Sequence, residues 1–82
     1  MSLRTSTTDV LRMKNIRPTP RRVALFDALA ARQIPVSAEE LHGDVKSDLA
    51  TIYRSLDTFA KAGLVREVRF KDSIIRYELS EG

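Results

Sequence analysis

Between Asp48 and Gly63 the sequence sets Ala50, Thr51, Arg54, Thr58 and Lys61 on one side of a helix. Leu49, Ile52, Leu56, Phe59 and Ala60 fall on the other side at about 100° per residue, with Tyr53 and Asp57 on the flank. The outer set has small residues near the start and long donors behind them, which suits close approach to a surface that carries acceptors. An arginine fork can bond two acceptors on the edge of a guanine, and an aromatic edge can meet a thymine methyl. The N-terminus of the helix itself favours a phosphate. This chemistry is recognition of a polyanion rather than bond making. The same spacing also describes an ordinary amphipathic helix with a solvated outer face, in which Asp48 is a cap and Asp57 a surface charge.

Other chemistries find little here. The chain has no cysteine and a single histidine, His42, so disulfides, thiol catalysis and a self-contained metal site are not expected. No nucleophile sits beside a base and no acid pair converges, so an enzyme is not expected either. No apolar run approaches the ~20 residues that span a bilayer, which points to an intracellular soluble protein. Met1-Ser2-Leu3 and Glu81-Gly82 carry no functional weight in this reading.

The 82 residues suit one domain, residues 1–82, with 43% hydrophobic content to build its core. The net charge of +3 is unevenly spread: residues 1–32 hold seven basic and two acidic side chains, and residues 33–50 one basic and four acidic. A basic N-terminal third suits a polyanionic partner, and equally a solvated surface.

The elements that must position the outer face can be read from start and stop signals. A short helix spans about Thr8–Lys14, with Val10, Leu11 and Met13 as its apolar residues. Asn15 ends it, since asparagine tolerates the left-handed conformation. The prolines of Ile16-Arg17-Pro18-Thr19-Pro20 force an extended link. Thr19-Pro20 then reads as N-cap and first turn of a helix running to about Ala31 or Arg32. Its apolar face is Val23, Leu25, Phe26, Leu29 and Ala30, with Arg21 and Arg22 on other sides.

Residues 33–36 form a connection, and Ser37-Ala38-Glu39-Glu40 is a capping box that opens a brief third helix with Leu41 and Val45 inside. Asp48 caps the fourth helix and Gly63 ends it. Leu64–Phe70 and Ile74–Leu79 alternate as two strands, with Ile75, Tyr77 and Leu79 on one face, joined by a turn at Lys71-Asp72-Ser73. The expected fold is mainly α with a C-terminal β-hairpin, a winged helix-turn-helix. In such folds the second helix of the pair lies in the major groove and the hairpin touches the DNA backbone.

Four stretches in order carry a resemblance. Asn15 to Leu25 (Asn-Ile-Arg-Pro-Thr-Pro-Arg-Arg-Val-Ala-Leu), Val36 to Leu41, Leu49 to Leu56 (Leu-Ala-Thr-Ile-Tyr-Arg-Ser-Leu) and Ala62 to Val65 are similar to the DNA-binding domain of ferric uptake regulator family repressors. The resemblance implies sequence-specific binding of double-stranded DNA, with Tyr53 and Arg54 in the major groove and Arg17 entering an A/T-rich minor groove. A narrow groove concentrates negative potential, and proline-stiffened neighbours limit the entropy that Arg17 loses. The expected contact set is Arg17, Thr19, Arg21, Arg22, Ala50, Thr51, Tyr53, Arg54, Lys61 and Lys71.

The resemblance further implies a bacterial cytoplasmic repressor of metal-uptake or stress genes that pairs as a homodimer on a palindrome. Zinc and a regulatory metal (iron, zinc or manganese) are expected in a second domain that this chain lacks, and no cofactor within it. Many members place a metal-binding histidine just before the Val-Ser-Ala-Glu stretch; this chain has Pro35 there. His42 reads as a surface or partly packed side chain. A winged helix used for protein–protein contact is the other reading, and it calls for a sizeable apolar patch on the outer helix face.

Overall fold

Each helix begins and ends on a local signal. In the structure, a computed structural model that describes residues 6–80, α1 spans Thr7–Met13 and the Ser6 hydroxyl caps it by accepting from the Asp9 amide at 3.2 Å. The terminal stretches Met1-Ser2-Leu3 and Glu81-Gly82 lie outside the described residues. Asn15 takes a left-handed φ of 59° after α1. There the Ile16 amide donates to the Leu11 carbonyl at 2.9 Å and the Asn15 amide to that of Arg12 at 3.0 Å. This paired closure satisfies two orphan carbonyls and brings Leu11 and Ile16 together in the core.

The helix α2 spans Pro20–Ala31, with the Thr19 hydroxyl accepting from the Arg22 amide at 3.3 Å. Its buried stripe is Leu25 and Leu29, flanked by partly buried Val23 and Phe26. Ala30, expected on the apolar face, is exposed, because it lies one residue's rotation past Leu29 at the edge of the stripe. Met13 is exposed too, since Leu11 and Ile16 already occupy the core side of the chain there.

Val36–Ser37 forms a short strand, β1, where the sequence suggested only a connection. Ser37 is the N-cap of α3 (Ala38–Asp44), and an N-cap residue has extended backbone, here φ −82° and ψ 163°. That same conformation lets Val36 and Ser37 pair with Tyr77 and Arg76. The capping box is complete: the Ser37 hydroxyl accepts from the Glu40 amide at 3.1 Å and Glu40 Oε1 accepts from the Ser37 amide at 3.0 Å.

The helix α4 spans Leu49–Lys61. Asp48 holds its N-cap position, yet its carboxylate makes no capping hydrogen bond. It stays close enough to Thr51 for that hydroxyl, and more weakly for the Arg54 charge, to hold its pKa below the ordinary 3.8. The far end repeats the closure of α1. Gly63 has φ 80°, and the Leu64 and Gly63 amides donate to the Phe59 and Ala60 carbonyls at 2.9 and 3.0 Å.

The strands β2 (Val65–Arg69) and β3 (Ile75–Leu79) pair antiparallel, from Val65 opposite Leu79 to Arg69 opposite Ile75. The expected two-stranded hairpin is therefore part of a three-stranded sheet in the order β1-β3-β2. Its turn takes in Phe70 and Ile74 as well as Lys71-Asp72-Ser73. Ser73 is left-handed at φ 67°, and Asp72 Oδ1 accepts from the Ile74 amide at 3.1 Å. The core packs Leu11, Leu25, Leu29 and Leu41 with Ile52, Leu56 and Phe59 of α4, under Val36, Val65 and Tyr77 of the sheet. Phe26 and Phe59 meet edge to face, 6.0 Å apart between centroids. This is the winged helix-turn-helix architecture, with β2–β3 as the wing.

Three carboxyls, Glu40, Asp48 and Asp72, have pKa values lowered by neighbouring donor groups, chiefly the Ser37 amide, the Thr51 hydroxyl and the Arg76 guanidinium. A lowered folded-state pKa contributes stability above the unfolded value that is lost as pH falls through the folded one. The melting temperature should therefore hold constant down to about pH 5 and fall below about pH 4.5. Melting by circular dichroism across that range checks it, and a fall already under way between about pH 7 and 6 would assign the loss to another group.

Candidate nucleic-acid interface

The functional side chains come from two helix starts. The link Ile16–Thr19 is anchored by buried Ile16, and the Arg17 carbonyl accepts from the Thr19 amide at 2.9 Å across a tight turn centred on Pro18. Thr19 then caps α2. These two features bring Arg17, Thr19, Arg21 and Arg22 round the N-terminus of α2, opposite the first turns of α4. Between them runs a groove of about 610 Å³ lined by Arg17, Thr19, Pro20, Arg21, Arg22, Thr51, Arg54, Ser55 and Thr58.

Six of the ten residues expected to touch a polyanion thus share one groove: Arg17, Thr19, Arg21, Arg22, Thr51 and Arg54. The other four stand apart from it. Ala50 and Tyr53 are exposed on α4, and Tyr53 stands near the wing, where its phenol adds to burial and Glu67 in pushing the Tyr77 hydroxyl pKa up. Lys61 ends α4 in a solvated pair with Asp57 at 3.0 Å. Lys71 is exposed in the turn of the wing.

The electrostatics of the groove are one-sided. Among the described residues, Arg32, Arg66, Arg69 and Arg76 each pair with a carboxylate within 3.1 Å, whereas Arg17, Arg21, Arg22 and Arg54 make no ion pair. Four guanidinium groups round one groove repel one another, and an anion between them relieves that repulsion. The α2 N-terminus adds its partial positive charge to the same side.

Sequence reasoning missed Ser55, and it set Thr58 on the outer face of α4 without counting it among the contacts. Ser55 is buried on the groove side of α4, and its small side chain gives the groove depth. A polar residue inside an otherwise apolar stripe was the available signal. Thr58 donates its hydroxyl to the Arg54 carbonyl at 3.0 Å, one turn back along the helix.

The wing is stiffened at its tip. Arg76 donates to both Asp72 oxygens, at 3.2 and 2.9 Å, and lies 5.0 Å from the Phe70 ring centroid. Phe70, Ile74 and Ile34 are exposed apolar side chains, but none is on α4. On the outer face of α4 the only exposed large apolar side chain is Tyr53.

No group of three or more His, Cys, Asp or Glu side chains able to hold an ion occurs among the described residues. His42 is exposed on α3, and Pro35 offers no donor side chain. No described helix is long and apolar enough to cross a membrane.

Comparison with known proteins places this geometry. Residues 13–82 match the sequence profile of the ferric uptake regulator family. The peroxide-responsive repressor PerR of Staphylococcus saprophyticus is 33% identical over 75 residues, covering 85% of this chain and 51% of that protein. The chain thus spans about half the length of the curated relatives it matches. Among solved structures, the Vibrio cholerae ferric uptake regulator superposes with a TM-score of 0.83 at 29% identity, over 90% of this chain and 61% of that one. The manganese-bound ferric uptake regulator of Pseudomonas aeruginosa gives 0.84 at 28% identity, over 94% and 62%. The chain belongs to the ferric uptake regulator family, whose members are transcriptional regulators and not enzymes.

Proposed function

We propose that residues 1–82 form one DNA-reading domain of a metal-responsive transcriptional repressor, specific for an A/T-rich palindrome in double-stranded DNA. The observation that carries this reading is the groove in which Arg17, Arg21, Arg22 and Arg54 converge without carboxylate partners among the described residues. Arg54, Tyr53, Thr51 and Ala50 read the major groove from α4. Arg17 enters the minor groove, Thr19 and Arg21 meet the backbone near the α2 N-terminus, Arg22 adds its charge to the same groove, and Lys61 and Lys71 add contacts from the end of α4 and from the wing.

The polar outer face of α4 favours DNA over a protein partner, which would want apolar surface there. In the proposed repressor a second domain pairs two copies and holds zinc and the regulatory iron, zinc or manganese. The relatives' greater length supports that division. The setting is the bacterial cytoplasm, where such a repressor controls metal-uptake or stress genes.

A single module typically buries about 600–1,000 Å² of protein surface on DNA, so one copy of this chain is expected to bind weakly. Binding should also depend steeply on salt, with log K falling by about 0.9 per phosphate contact for each unit of log salt. Titration of a labelled A/T-rich palindrome at several salt concentrations tests this. A slope near zero, or equal affinity for any duplex, overturns the assignment.

A further inference from the structure

Arg22 differs from the other three arginines of the groove because, among the described residues, its guanidinium alone is already engaged. Its amide donates to the Thr19 hydroxyl at 3.3 Å, which completes the cap of α2. Its Nη1 reaches back and donates to the Arg17 carbonyl at 3.1 Å. That carbonyl also accepts from the Thr19 amide at 2.9 Å, so both of its lone pairs are directed. Upstream, the Ile16 amide is bonded to Leu11 and its side chain is buried. The backbone at Arg17 is thus held on one side by the core and on the other by the Arg22 guanidinium.

We propose that Arg22 is a positioning residue, whose bond to the Arg17 carbonyl fixes the stretch that presents the Arg17 side chain, so that it serves sequence discrimination through Arg17 and not through a phosphate contact of its own. The proposal rests on the DNA-reading function given above. A long side chain on a loose link loses more entropy when it enters a narrow groove than one on a link already held. A guanidinium turned inward to a carbonyl has fewer donors left for a phosphate, although its charge still adds to the field of the groove.

The two roles separate by experiment. Arg22→Met keeps much of the aliphatic stem and removes the donors. Its affinity is measured in the 82-residue chain and in an Arg17→Ala background, for an A/T-rich duplex and one with G·C pairs at the minor-groove site. Arg17→Ala keeps the carbonyl and deletes only the side chain being positioned. Arg22→Met should weaken A/T-rich binding about tenfold, towards the lower end for one base-reading contact, and reduce discrimination between the duplexes by the same factor. In the Arg17→Ala background it should leave the discrimination unchanged, with only a slight and uniform loss of affinity from the removed charge.

Equal weakening of both duplexes in both backgrounds makes Arg22 a phosphate contact and overturns the proposal, as does no effect at all. Arg54→Ala serves as the independent control. If the parent chain does not prefer the A/T-rich duplex, or Arg54→Ala leaves binding unchanged, the DNA-reading function fails. Melting temperatures of all variants confirm that the helices are intact, and Arg22→Gln is the alternative should Arg22→Met melt early.

Discussion

Replacing Arg17 and Arg54 together by alanine is expected to reduce binding of an A/T-rich palindrome to the level of an unrelated duplex, with the fold unchanged. The two side chains line the same groove from different segments, Arg17 before α2 and Arg54 on α4. Neither makes an ion pair among the described residues, so removing them orphans no protein carboxylate. A base-reading contact is worth about 1–3 kcal/mol, so two of them correspond to a loss of at least about thirtyfold even at the low end. Neighbours in one groove couple, and the double variant should depart from the sum of the singles by about 0.5–3 kcal/mol. Gel-shift or anisotropy titration with an unrelated duplex alongside supplies the comparison. Retention of the preference for the palindrome would remove both arginines from the reading surface.

The second large effect is expected in the core. Phe59 is fully buried beneath α4 and meets Phe26 edge to face. Phe59→Ala deletes most of a ring that the surrounding Leu and Ile side chains cannot fill, at a cost of about 3–5 kcal/mol. A domain of this length has only about 4–12 kcal/mol in total, so the variant should lose from about a quarter to all of its stability. Urea unfolding followed by circular dichroism measures the change, and a loss under about 1 kcal/mol would mean that the pocket collapses round the smaller residue. DNA binding should be lost with the fold, in contrast to the arginine variants.

The helices were readable because their signals are local. Thr19-Pro20, Ser37 with Glu40, Asn15 and Gly63 each act through backbone groups within a few residues, and the structure shows the caps and left-handed closures at those positions. The apolar side of α4 was readable for the same reason, since period alone separates Ile52, Leu56 and Phe59 from Arg54.

What escaped depends on partners distant in the chain. Two residues cannot show a period, so Val36–Ser37 becomes a strand only because Tyr77 and Arg76 arrive beside it. Ser55 is buried because α2 lies across that side of α4, so its place in the apolar stripe was readable while the groove that it lines was not. The convergence of six expected contact residues in one groove follows from helix packing. The inward turn of Arg22 follows from rotamer choice, and composition treats all four groove arginines alike.

The pairing of β1 with β3 has a bearing on how such a body would dock. Ser37 belongs at once to the cap of α3 and to the sheet that carries the wing, so helices and wing meet without an intervening hinge. With the link before α2 closed at both ends as well, the backbone arrives preshaped, and a duplex has only side-chain freedom left to quench. That freedom is concentrated in a few long side chains, Arg17, Arg21, Arg54 and Lys71, at about 0.5–1.5 kcal/mol each on immobilisation. Encounter then resembles the seating of a rigid key, in which the fit of the grooves decides the outcome more than any adjustment of the protein.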